Sequence, residues 1–157
     1  MKTIVIGLGN PILGDDGIGW KVAEEIIKQK FFESTTVEVD CLAVGGLTLM
    51  ERMVGYQRAI LIDAIQTGTR TPGSVVTMRL EDVPEQRAGH ITSAHDVSLL
   101  TAIQLGREMG VQLPEMIFIV GIEAQRVYDI SEELSPSLRS IIPNAIQLVN
   151  DLVQSVC

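Results

Sequence analysis

The chain has 157 residues, enough for a domain that buries a core without disulfide or metal staples. Twelve basic against twenty acidic residues give a formal net charge of −8 with no Lys/Arg cluster, which argues against nucleic-acid partners. Hydrophobic residues make up 46% of the chain but aromatic residues only 4%, a balance that favours a buried parallel sheet under helices and leaves few platforms for stacking bases.

The chain opens on a β-branched strand, Thr3–Leu8. The Gly-rich turn Gly7-Leu8-Gly9-Asn10-Pro11-Ile12-Leu13-Gly14-Asp15-Asp16-Gly17 follows, and then Ile18–Lys30 with Ile18, Val22, Ile26 and Ile27 at helical spacing. Val37–Val44 reads as a second strand, Leu47–Val54 as a short helix after Gly45-Gly46, and Ala59–Ile65 as a third, fully buried strand. This β-α-β-α-β order predicts parallel strands joined by right-handed crossovers. After Thr71-Pro72-Gly73, Ser74–Leu80 reads as an antiparallel addition, because no helix-length connection separates it from the third strand. Asp82–Thr92 is polar and irregular. Val97–Met109 reads as a helix, Met116–Ile122 as a strand, and Ser137–Val153 as a closing helix that Pro143 kinks or restarts.

No repeat or linker interrupts the pattern, so a single domain over 1–157 is expected. No run approaches the length of a membrane span, and the N-terminus reads as a strand and not as a signal peptide. Cys41 and Cys157 are far apart and lack metal-ligand spacing, which predicts a reduced, cytoplasmic protein with no membrane partner. Cys41 reads as a buried, inert thiol.

A Gly-rich turn after a first strand commonly cradles phosphate on backbone N–H groups. Here Asp15 and Asp16 would repel phosphate and attract a cation. The dinucleotide fingerprint also fails at its third glycine, where Ile12 stands, although Asp40 at the end of the next apolar run could imitate a ribose-binding acid. Without a nucleotide, the glycines serve to turn the chain sharply from strand to helix.

Candidate chemistry gathers at the strand ends, where open α/β sheets bind ligands. Asp63 lies inside the third apolar run, where a buried carboxylate needs a partner or an opening; otherwise it caps the following loop. Of the two histidines, His90 and His95, the second sits beside Asp96 at an expected helix N-terminus. That position favours the neutral imidazole a metal requires. Carboxylates with one imidazole suit a borderline divalent ion such as nickel or zinc. Asp15 reads either as a base or, more simply, as a turn-stabilising acid.

Taken together, Gly7-Leu8-Gly9-Asn10 with Asp15-Asp16-Gly17-Ile18-Gly19, Ile62-Asp63-Ala64, and Thr92-Ser93-Ala94-His95 resemble the three signature segments of the hydrogenase maturation endopeptidases, in order and over essentially the whole chain. The resemblance implies a phosphorylase/hydrolase-like three-layer α/β/α sandwich, with a mostly parallel twisted sheet and one antiparallel strand. It implies a hydrolase, an aspartyl-type or metal-dependent endopeptidase, that trims the C-terminal extension of the [NiFe]-hydrogenase large-subunit precursor. Asp16, Asp63 and His95 fall on the positions of the catalytic and nickel-contacting residues. The nickel is supplied by the precursor, no tightly held metal of the protein's own is expected, and a monomer is expected. Where the family commonly has a Gly/Thr-rich loop after the second strand, this chain has Cys41-Leu42-Ala43-Val44, and Asp40 is not assigned to the site. The same ligands would serve a nickel-binding chaperone without proteolytic activity. A self-contained zinc peptidase is disfavoured by the absence of HExxH and the scarcity of His.

Overall fold

The computed structural model describes residues 1–33, 35–83 and 98–155. Among these residues five strands, Thr3–Leu8 (β1), Val37–Leu42 (β2), Arg58–Ile65 (β3), Val75–Arg79 (β4) and Met116–Glu123 (β5), form one sheet in the order β2-β1-β3-β5-β4. All pairings are parallel except β4 with β5. Helices Ile18–Lys28 (α1), Pro136–Arg139 (α4) and Ile142–Gln154 (α5) cover one face, and Gly46–Arg52 (α2) with Leu99–Glu108 (α3) cover the other. The three-layer α/β/α sandwich is thus observed. Among the described residues, no helix is long and apolar enough to cross a membrane.

Strand alternation builds the two cores. Ile4, Ile6, Leu8, Ala59 and Leu61 pack under α2 and α3, while Val5, Ile60, Ile62, Val120 and Ile122 pack under α1 and α5. Burial follows sheet position: every residue of central β3 is buried, whereas edge strand β2 is mostly half-buried. β4 is antiparallel as expected, but it pairs with β5 and not with its chain neighbour β3. Parallel β5 occupies the free edge of β3 over its whole length, from Arg58↔Met116 to Ile65↔Glu123, so the connection from β3 passes β5 before the chain returns.

The closing helix divides in two. Pro143 has no N–H to give the carbonyl four residues back, so α4 stops at Arg139 and α5 restarts with Pro143 in its first turn. Buried Arg58 ties the far end of α5 to the start of β3, donating to the carbonyls of Leu152 (2.7 Å), Val153 (2.9 Å) and Ser155 (2.8 Å). Ser98 caps α3 by accepting the Thr101 N–H at 3.2 Å, so the helix starts two residues after the expected Val97, which lies outside the described residues.

The placement of α1 fixes everything above β1. A Cβ on Gly19 would overlap the carbonyl oxygens of Ile62 and Leu8, and one on Gly7 would overlap the Gly19 carbonyl and Ala23. The first turn of α1 therefore lies backbone to backbone on β1 and β3, a contact only glycine permits. Gly19→Ala should destabilise the protein by about 3 kcal/mol through forced displacement of α1. Urea denaturation checks this, and an unchanged midpoint would contradict the close-packed arrangement.

Candidate active site

Between β1 and α1 the chain forms a 3-10 turn, Gly14–Gly17, at the carboxyl end of β1 and against β3. Gly9 has a φ of 132°, and a Cβ there would overlap the Asp16 carbonyl, so the residue after β1 must be glycine for the turn to fold back. The glycines thus serve turning and close approach, the simpler of the two expectations.

The adjacent acids have separate tasks. Asp15 is buried, and its Oδ1 accepts the Ser135 N–H at 2.7 Å. Its Oδ2 accepts the Ser135 hydroxyl at 2.7 Å and, at 3.4 Å, the Arg126 N–H. Its own N–H donates to the Arg126 carbonyl at 3.1 Å. Asp15 therefore clasps the turn to the loop after β5. Asp16 is half-buried, and its Oδ2 accepts the Asn10 N–H at 2.9 Å, which orients the carboxylate within the turn.

Asp63 is fully buried in β3, on the face shared with Ala59 and Leu61. It pairs in register with Gly121, one position beyond the Gly7↔Ile62 pairing of β1 with β3. Asp16 and Asp63 thus belong to the same end of neighbouring strands. His95 and His90 fall within residues 84–97, outside the described residues. Ser98, the cap of α3, lies on the face of the sheet to which Asp63 belongs. Among the described residues, no group of three or more His, Cys, Asp or Glu side chains is placed to hold a metal ion.

Other candidates prove structural. Asp40 receives Arg52 Nε at 2.7 Å and the Cys41 N–H at 2.8 Å, so this β2 residue is engaged in an ion pair. Arg52 and the Tyr56 hydroxyl also donate to Glu38, and these contacts, Tyr56 foremost, hold the Glu38 carboxyl below its usual range. The Cys41 thiol is pushed up to about 11, by burial first and then by Asp40 and Glu24, which leaves it a poor nucleophile. Glu123 was not anticipated. It is a buried acid at the end of β5 that accepts the N–H groups of Thr67 (3.0 Å) and Gly68 (3.1 Å) and the Thr67 hydroxyl (2.9 Å). Its sequence signal is an acid that closes an apolar strand, whereas Asp63 lies inside one.

Fold and strand-end acids define a class: an α/β/α protein whose carboxylates gather where parallel strands end. A family model described as HycI: Hydrogenase maturation protease matches residues 20–152. The chain is 27% identical over 149 residues to the Hydrogenase 2 maturation protease of Escherichia coli, covering 95% of this chain and 88% of that protein. It is 27% identical over 143 residues to Protein FrxA of Pyrococcus furiosus, covering 90% and 98%. The solved structure of the hydrogenase maturating endopeptidase HybD from E. coli superposes with a TM-score of 0.83 at 25% identity, covering 98% of this chain and 93% of that one. The chain belongs to the hydrogenase maturation protease family and is a hydrolase of peptide bonds.

The two acids of the turn should respond differently to mutation. Asp15→Ala removes the buried carboxylate that accepts the Ser135 N–H and hydroxyl and should cost about 3 kcal/mol, whereas Asp16→Ala removes a half-buried carboxylate that accepts the Asn10 N–H and should cost about 1 kcal/mol. Denaturant titration of the two variants measures this; equal losses would contradict the division of roles.

Proposed function

We propose that the protein removes the C-terminal extension of a [NiFe]-hydrogenase large-subunit precursor in the cytoplasm, after nickel insertion, and that it does so as a monomer holding no metal of its own. The observation that carries this reading is the placement of Asp16 and Asp63 at the same end of adjacent strands in a member of the protease family. Two carboxylates at one end of the sheet disfavour an anionic ligand and favour a substrate that presents a divalent cation. His95 supplies the nitrogen donor of the set. Nickel then belongs to the substrate, as the mark by which a finished large subunit is told from an empty one.

Hydrolysis requires an activated water close to the scissile carbonyl. A carboxylate of this pair takes the proton from the attacking water and passes it to the amide nitrogen as the C–N bond breaks, while contact of Asp16, Asp63 and His95 with the precursor's nickel holds the peptide in place. Family membership favours this protease over a nickel-carrying chaperone with the same ligands, because a chaperone would leave the precursor at full length.

The test is incubation of the protein with nickel-loaded and metal-free precursor, read by the size of the large subunit. Cleavage of the loaded form only is expected, with protease in excess in both cases. His95→Ala should leave the loaded precursor uncut while melting near the wild-type temperature, and Asp16→Glu should retain activity because it keeps a carboxylate. Equal cleavage of both precursors, or full processing by His95→Ala, would overturn nickel recognition through these residues.

A further inference from the structure

The most exposed large apolar side chains of the described residues are Ile130 (89%) and Tyr128 (85%), and Ile12 is 51% exposed. They come from two segments far apart in sequence that the backbone joins. Leu13 and Ser131 form a parallel bridge, in which Ser131 N–H donates to the Ile12 carbonyl at 2.9 Å and Gly14 N–H to the Ser131 carbonyl at 2.7 Å. Ile12 and Ile130 each adjoin one partner of that bridge. Tyr128 stands on a braced turn: Arg126 Nε meets Asp129 Oδ2 at 2.7 Å across it, while the neighbouring Val127 is buried in the core under α1 and α5. The Asp15 clasp fixes the whole loop to the turn that carries Asp16.

Apolar side chains presented this fully, on a braced backbone and beside charged Arg126 and Asp129, are the composition of a protein-binding surface. A braced surface also loses little conformational freedom when it is covered. Position selects the occupant. Ile12 lies four residues before Asp16 in one turn, so a protein that brings a peptide to Asp16 arrives beside this rim. We propose that Ile12, Tyr128 and Ile130 form an apolar docking rim that seats the folded body of the hydrogenase precursor, apart from the carboxylates that meet its metal. This rests on the functional reading above and assigns the rim to substrate affinity, not to bond cleavage.

The experiment compares wild-type protein, the double variant Tyr128→Ser/Ile130→Ser, and Met109→Ser as a control for lost surface apolarity, since Met109 is 73% exposed at the end of α3, outside the rim. Kinetics of processing of the nickel-loaded precursor and sizing of each protein are measured. The double variant should raise KM by about tenfold or more with kcat largely retained and an unchanged melting temperature, and Met109→Ser should match wild type. Wild-type kinetics in the double variant would overturn the docking rim while leaving the protease reading intact. Failure of the wild-type protein itself to cut the loaded precursor would overturn the protease reading, and the rim's occupant with it. A wild-type dimer that becomes monomeric in the double variant without a change in KM would assign the rim to a second copy of this chain instead.

Discussion

The organisation of the site depends on the buried carboxylate of Asp15. It accepts donors from Ser135 and Arg126, and so joins the turn after β1 to the loop after β5 across the end of the sheet. A carboxylate removed from water is tolerable only when its lone pairs are filled, and here backbone and hydroxyl donors fill them. The result is that the turn carrying Asp16 is joined to the loop carrying Tyr128 and Ile130. One acid of the pair thus joins the turn to a distant loop, while its neighbour accepts a donor from within the turn.

The same end of the sheet repeats this device. Glu123 at the end of β5 gathers the Thr67 and Gly68 donors and holds the loop that leaves β3. At the opposite end, Arg58 binds the last carbonyls of α5. Between these polar fixings lie two apolar cores, and the close approach of Gly19 to β1 and β3 sets the height of α1 above the sheet. Because α1 starts directly after the acidic turn, that contact also sets where Asp16 stands relative to Asp63.

Much of this was legible in the sequence wherever the cause is local. β1 spans Thr3–Leu8 as its β-branched run predicts, and β3 follows the apolar stretch that contains Asp63. The restart of the closing helix follows from the missing N–H of Pro143. What could not be read depends on distant partners. Nothing local distinguishes Asp15 from Asp16, because Arg126 and Ser135 are 111 and 120 residues away. The pairing of β4 depends on β5 having taken the edge of β3. Nothing local marks Tyr128 and Ile130, which the Leu13–Ser131 bridge brings beside the acidic turn. The family resemblance marked Asp16, Asp63 and His95 together, and strand geometry now places the first two at the same end of the sheet.

Nickel K-edge absorption measures most directly whether this protease contacts the metal of its substrate. The sample is nickel-loaded precursor made uncleavable at the scissile bond, recorded alone and then in complex with the wild-type protease. Contact through Asp16, Asp63 and His95 predicts new oxygen and nitrogen scatterers at roughly 2.0–2.2 Å in the complex. A complex that forms while the nickel spectrum stays that of the free precursor would contradict recognition through the metal.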